Sequence, residues 1–409
     1  MPAETAPIHA PSTDEAAVLA QIDAKSMLDR TLAWAAINSG SRNSAGLAAI
    51  ADALAPVLAA LGPVVRVAPT PVEAVDATGT ARPLVHGDNL HLRVRPDAPV
   101  RVLLTGHMDT VFAVDHPFQA CRWLDARTVN GPGTADMKGG IAVMLAALEA
   151  LEGSPFAHQI GYEVVLNADE EVSSLGSAAL LRDAARRCHL GLTYEPALPD
   201  GTLAGARKGS GNFAAVVRGT AAHAGREPEK GRNALLAAAD LALRLAALVR
   251  DGLSVNPAKI DGGGPNNIVP DTAVLRFNLR PASLADQARA EADIAAAVAA
   301  VAADHDVAIT LDGGFARPPK PMDANQRRLF DLVRDCGGAI GLPVGWRDTG
   351  GVCDGNNLAA TGLAVVDTMG VRGGAIHSAD EFMMTDSLVE RAQLSALVLM
   401  RVAQSGWKR

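Results

Sequence analysis

Seven residues of this 409-residue chain have types and settings suited to a hydrolytic metal centre. His107 and Asp109 end the apolar run Leu103-Leu104-Thr105-Gly106-His107-Met108-Asp109. Asp136 lies in the Gly-rich turn Gly133-Thr134-Ala135-Asp136-Met137-Lys138-Gly139-Gly140. Glu170 and Glu171 follow Asn167-Ala168-Asp169, Glu195 stands in Tyr194-Glu195-Pro196, and His377 in Gly374-Ala375-Ile376-His377-Ser378. Imidazole and carboxylate without thiolate suit zinc, manganese or cobalt at a catalytic site. One such ion takes about three protein ligands and keeps an open position. His107, Asp136, Glu171, Glu195 and His377 suffice for two ions if one carboxylate bridges. Two ions about 3.5–4 Å apart can stabilise both partners of an addition to a carbonyl. Glu170 points away from Glu171 on an extended chain. It could carry a proton from the attacking water to a leaving amine. Asp109 could accept the His107 N–H and fix its tautomer.

Each residue alone has a bland explanation. A single His is usually structural, a Glu-Glu pair is usually solvated, and Asp136 would serve as a helix N-cap. Their common setting gives them weight, because each follows an apolar segment or sits in a Gly-rich turn. Val100 to Thr105 and Tyr162 to Leu166 are nearly continuous apolar runs, as strands buried on both faces are. Leu190 to Tyr194 is a third strand. Between them lie a helix after Asp136, with Ile141, Val143, Met144, Leu145, Leu148 and Leu151, and a helix from Ser174 to Arg186. Alternating strands and helices predict an α/β sheet covered by helices. Ligands bind such sheets beyond the carboxyl ends of the strands, which is where His107, Glu170, Glu171 and Glu195 fall.

Upstream, Ser12 and Glu15 form a capping-box pattern that predicts one helix to about Ala36, with Val18, Ile22, Leu28 and Leu32 on its apolar stripe. Ser44 begins a second helix, through Leu58, stopped at Gly62-Pro63. Val64 to Val67 and Asn89 to Arg95 read as strands, and Thr70 to Pro83 as a turn-rich surface loop. From about Gly205 the pattern changes. Strands at Phe213 to Arg218, Ala273 to Arg280 and Val307 to Leu311 alternate with helices at Asn233 to Arg250 and Leu284 to Ala303. Gly262-Gly263-Gly264-Pro265 marks a turn, and Gly313-Gly314 the return. A helix at Asn325 to Cys336, a strand at Ala364 to Thr368 and a helix from Thr385 to Val402 resume the first pattern. The expected architecture is α/β: a larger domain with a central mixed sheet flanked by helices, plus an inserted α+β unit. Residues 1–205 and 315–409 would form the first, and 206–314 the second.

Composition sets limits. The chain is 48% hydrophobic and 20% charged, an ordinary globular balance whose length suits two domains. A net charge of -8 and 3% aromatic residues argue against nucleic-acid and anionic-membrane partners. Cys121, Cys188, Cys336 and Cys353 form no C-x-x-C pair, so neither a zinc knuckle nor a disulfide framework is expected. No basic segment followed by an apolar run stands at Met1 to Ser12, and no apolar run approaches about 18 residues. A cytoplasmic protein is the expectation, with a trimmed periplasmic form left open.

The motifs together resemble the co-catalytic dinuclear-zinc metallopeptidase and amidohydrolase family. That family includes glutamate carboxypeptidase of the carboxypeptidase-G type, acetylornithine deacetylase, succinyl-diaminopimelate desuccinylase and aminoacylase. The resemblance spans about Met27 to Val402. Besides the segments above, it rests on Gly131-Pro132-Gly133, Ala222-His223-Ala224-Gly225 and Asn267-Ile268-Val269-Pro270. It implies two Zn2+, with Co2+ or Mn2+ as alternatives. His107, a bridging Asp136 and Glu195 would hold one ion; Asp136, Glu171 and His377 would hold the other. Glu170 would be general base and then acid, Asp109 would orient His107, and the peptide after Asp136 would be cis. The resemblance makes the larger domain the catalytic domain and the inserted unit a lid and dimerisation domain, and it implies a homodimer through that lid, with His223 reaching the partner's active site to polarise the scissile carbonyl. Asn267 and Arg280 match lid positions that grip substrate. Arg317 matches an arginine near the substrate carboxylate, for which a guanidinium is a natural partner.

The turn Gly350-Gly351-Val352-Cys353-Asp354-Gly355 resembles the family's Gly-rich substrate loop, placing Gly351 at the substrate. Cys353 stands there where Ser or Thr is usual. Arg207-Lys208 also departs from the carboxypeptidase-G pattern and reads as a pair of solvated cations near the lid hinge. The resulting expectation is metal-dependent cleavage of an amide bond next to a free carboxylate, in a small molecule or short peptide, releasing an amino acid. The 35-residue step from Asp136 to Glu171 and the 24-residue step to Glu195 look most like glutamate carboxypeptidase. An N-acyl-amino-acid deacylase is the alternative. A non-catalytic binding protein or a purely structural dimer would leave Glu170 and the full ligand set unexplained.

Overall fold

The computed structural model describes residues 9–408; the first eight residues of the N-terminal reading lie outside them. Its main sheet has six strands in the order Val64–Val67, Asn89–Val94, Ile160–Asn167, Val100–His107, Leu190–Thr193 and Ala364–Val366. Val100–His107 runs parallel to both neighbours, while Asn89–Val94 is antiparallel to Ile160–Asn167. The sheet is mixed, as expected.

Period-two alternation explains why its central strands are apolar throughout. Val102, Leu104, Val164 and Leu166 enter a large core with the helices Ala24–Ala35, Ser44–Ala59, Gly139–Glu152 and Ser387–Ser405. Leu103 and Val165 point the other way, into a smaller core with the helix Ala178–Arg187 and Leu358. Each such Leu or Val taken fully from water stabilises by about 1.5–3 kcal/mol. Both faces are therefore filled, and polar chemistry is confined to the strand ends.

The inserted unit is a four-stranded antiparallel sheet, ordered Leu253–Gly262, Thr272–Pro281, Ser210–Arg218 and Ala308–Arg317. The helices Ala234–Ala246 and Leu284–His305 cover one face through Ala237, Ala238, Leu241, Ala290 and Ile294. Leu253–Gly262 was not foreseen. It is an edge strand, largely exposed, and carries Pro257, a residue sheets tolerate at edges.

Four expectations change. The first predicted helix is two, Thr13–Leu19 and Ala24–Ala35. Asp23 accepts from the N–H groups of Lys25 and Ser26, both at 3.0 Å, and so starts a new helix. Thr70 to Pro83 is not a loop but contains the hairpin Val72–Val75 and Ala81–Leu84. Val75 packs against Ala214, Val216 and Val274 on the open face of the inserted sheet. Arg218 Nη2 donates to the carbonyls of Thr78 and Gly79 at 3.0 and 3.1 Å, and Arg276 Nη2 to Val75 at 2.7 Å. Gly313-Gly314 marks no return: both lie in the strand Ala308–Arg317, where the register slips by one residue before Arg317. Finally, the helix expected to reach Arg250 ends at Ala246.

Candidate active site

The parallel strands deliver the chemistry. His107 is the last residue of its strand and pairs in register with Asn167. Three residues beyond Asn167, Glu170 and Glu171 open a single helical turn, Glu170–Val172. Glu195 follows Leu190–Thr193 by two residues. Asp136 lies in the irregular turn Thr134–Lys138, where the Asp136–Met137 peptide is cis. His377, at φ 64°, reaches in from a loop beyond Gly373–Gly374.

Asp136 stands between the two imidazoles. Its Oδ1 is 3.0 Å from His107 Nε2, and its Oδ2 is 3.3 Å from His377 Nε2. Glu195 Oε1 is 3.9 Å from His107 Nε2, and Glu171 Oε2 is 3.1 Å from His377 Nε2. Ligand atoms of His107, Glu170 and Glu195 lie within 4.8 Å of one another, as do those of His107, Asp136 and Glu171. The five predicted ligands and Glu170 thus converge. Four carboxylates against two imidazoles form a donor set that divalent cations would neutralise, so the residues present fit a metal centre.

Electrostatics agree with that crowding. Burial opposes charge on Asp136, yet His107 and His377 hold its carboxyl well below the usual range. Burial, reinforced by Asp136, pushes Glu171 and Glu195 upward. Burial also pushes Glu170 up to about 8, against the pull of Arg317. Hydrogen bonds to Asp136 and Glu171 raise His377 to about 11.

The surrounding contacts divide labour in ways the sequence did not reveal. His107 Nδ1 is 2.9 Å from the Asp109 carbonyl oxygen and 3.5 Å from its carboxylate. The Asp109 carboxylate instead accepts from the N–H groups of Glu170 and Glu171, both at 3.1 Å, and from Ser41 Oγ at 2.7 Å. Glu381, unsuspected from sequence, accepts from the N–H groups of Gly133, Ala135 and Asp136 at 3.2, 3.0 and 3.0 Å. Nothing in Ser378-Ala379-Asp380-Glu381 sets that acid apart.

A cavity of about 550 Å³ opens over this floor, with Arg207, Arg280, Arg317, Gly351 and Cys353 in its wall. Arg207 is not solvated: it is buried, and its Nε and Nη2 reach the Asp367 carboxylate at 2.8 and 3.2 Å. Arg280 Nη1 donates to the Gly350 carbonyl at 2.9 Å. Cys353 caps the helix Asp354–Ala359, its Sγ accepting from Gly355 N–H at 3.3 Å. Burial pushes its thiol well up, so it is no poised thiolate. His223 and Asn267 do not line the cavity. Both are exposed on the inserted unit, at and beside the paired segments Ala222–His223 and Ile268–Val269.

Comparison with known proteins agrees with this geometry. Residues 103–401 match the model of Peptidase family M20/M25/M40. Carboxypeptidase G2 of Pseudomonas sp. (strain RS-16) is 30% identical over 331 residues, covering 78% of this chain and 77% of that protein. Succinyl-diaminopimelate desuccinylase of Xanthomonas oryzae pv. oryzae (strain PXO99A) is 29% identical over 321 residues, covering 74% and 83%. Among solved structures, a tripeptidase (SAV1512) from Staphylococcus aureus subsp. aureus Mu50 superposes with a TM-score of 0.72 at 23% identity. It covers 94% of this chain and 99% of its own. The chain belongs to the M20/M25/M40 peptidase family and is a metal-dependent amide hydrolase. Among the described residues, no helix is long and apolar enough to cross a membrane.

Proposed function

We propose that this enzyme binds two Zn2+, with Co2+ or Mn2+ as alternatives, and cleaves an amide bond adjacent to a free carboxylate, releasing an amino acid. One observation carries the reading: the two Asp136 oxygens face different histidines, with Glu195 on one side and Glu171 on the other. His107, Asp136 and Glu195 would hold one ion, and Asp136, Glu171 and His377 the second. Bound there, the ions supply the charge that polarises a carbonyl and makes water acidic. Glu170 takes a proton from the attacking water and passes it to the leaving nitrogen. A group pushed to about 8 suits both duties near neutral pH. Arg280, whose hydrogen bonds among the described residues go to Asn278 Oδ1 and the Gly350 carbonyl and to no carboxylate, is available to a substrate carboxylate.

The likeness to carboxypeptidase G2 supports a glutamate-type leaving group, while the desuccinylase likeness keeps an N-acyl deacylase as the second reading. A homodimer through the inserted unit accords with Leu236 and Leu243, 60% and 73% exposed on one helix, beside the open edge strand Leu253–Gly262. His223 would act from there on the partner's substrate. The unit would span residues 206–314 and serve as the lid. The decisive variant is Glu170→Ala, which should retain metal while losing on the order of 10²–10⁴-fold in turnover. Near-normal activity would overturn the mechanism. Assays of acyl-glutamates against acetyl-ornithine would separate the two substrate readings.

A further inference from the structure

Arg317 and Arg280 both line the cavity, yet their surroundings differ in charge. Arg280 donates to the Gly350 carbonyl and to Asn278 Oδ1, both neutral. Arg317 is buried among acids. Its Nη2 lies 2.7 Å from the Glu170 peptide oxygen, 2.7 Å from Glu170 Oε1 and 2.9 Å from Ser174 Oγ, with Asp354 Oδ1 at 3.7 Å. One nitrogen therefore hydrogen-bonds the main chain of Glu170 and ion-pairs with its carboxylate, while Oε1 itself accepts no hydrogen bond among the described residues. A substrate carboxylate brought to that nitrogen would have to displace the Glu170 carboxyl and would come close to the Asp354 carboxylate, whose like charge repels it in a desolvated site.

The support behind this contact is also built. Asp354 Oδ1 accepts from Ser174 Oγ at 2.5 Å, and Asp354 Oδ2 from Asn167 Nδ2 at 2.7 Å. Asn167 ends the strand beside His107, so the clamp is braced against the main sheet. Arg317 itself ends the last strand of the inserted sheet. We propose that Arg317 is a positioning residue that aims the Glu170 carboxylate, and that it does not anchor the substrate carboxylate.

The inference rests on the assignment of Glu170 as proton carrier. It is tested on the full-length, metal-loaded enzyme with an N-acyl-glutamate and its α-carboxamide as a pair. Arg317→Met should lower kcat on the order of 10²-fold for both compounds, the cost of misplacing a catalytic group. KM, bound metal and the preference for carboxylate over carboxamide should be retained. Added guanidinium should restore part of kcat. Arg317→Lys keeps the charge without the fork and should fall between wild type and Met. If the Met variant does not fold, the Lys variant decides by the same kcat-against-KM split. Arg280→Met is the control that should lose the carboxylate preference.

A rise in KM with kcat held, together with a lost carboxylate preference in the Arg317 variants, would overturn the proposal. Failure of the functional reading looks different, because Glu170→Ala would then keep its turnover.

Discussion

His107 and His223 both sit on extended segments, but in opposite surroundings. His107 is 1% exposed, at the end of a strand packed on both faces, with partners on each ring nitrogen. His223 is exposed on a two-residue ladder, and among the described residues the one hydrogen bond to its ring comes from Gly225 N–H, two residues away. The floor of the cavity is thus held by the main sheet, whereas His223 stands outside the cavity wall. On the proposed reading of His223, the metal ligands are fixed in place and completion of the site is left to a second event. Domain closure or a second subunit would serve.

The sharpest way to break the contrast is Asp136→Ala. It removes the carboxylate shared by both sides of the floor and should cost both bound metal and turnover. Charge stabilisation of several kcal/mol translates to on the order of 10³-fold or more in rate. Metal analysis beside an activity assay checks it, and retained metal with full activity would refute the shared-ligand geometry. His223→Ala should cost on the order of 10²–10³-fold, as loss of one oxyanion donor does, while leaving metal in place. Mixing it with Glu170→Ala should restore some activity if His223 works across a dimer. No recovery, with subunit exchange verified, would count against that role.

Glu381→Gln sharpens the comparison from beneath the floor. It weakens the carboxylate that holds the Gly133–Asp136 turn, and should reduce metal affinity about 10- to 100-fold, as loss of an outer partner typically does. Titration with a competing chelator measures it, and unchanged affinity would show that the turn holds its shape unaided. Cys353→Ser should have the smallest effect. Turnover should survive, and the stronger hydroxyl cap should add up to about 1 kcal/mol of stability, read from chemical denaturation. Loss of turnover in that variant would mean that the thiol does more than cap a helix.

The floor was legible because its signals are local. An apolar run that ends in His107, or in Asn167 just before two glutamates, predicts both a buried strand and a polar tip. The mixed sheet with its inserted α+β unit followed from the same periodicity. What escaped depends on contacts between distant residues. Glu381 matters through backbone donors 245 or more positions earlier, and Arg317 meets Glu170 across 147 positions. Arg207 reads as a surface cation until Asp367 appears beside it. The hairpin Val72–Val75 and Ala81–Leu84 reads as a loop because four-residue strands carry little periodicity and are half exposed. The break at Asp23 was missed because a capping Asp also fits the polar stripe of one longer helix.

That hairpin gives the inserted sheet a mooring besides its two covalent junctions. It springs from residues 68–71 and returns through residues 85–88, each flanked by a strand of the main sheet. Four residues of extended chain reach at most about 14 Å, and Thr70 is fastened to the Gly176 carbonyl. Any swing of the inserted unit must therefore drag the hairpin within that tether or shed the Arg218 and Arg276 bonds. While those bonds and the Val75 packing hold, the short tether limits how far the inserted unit can shift from the main sheet.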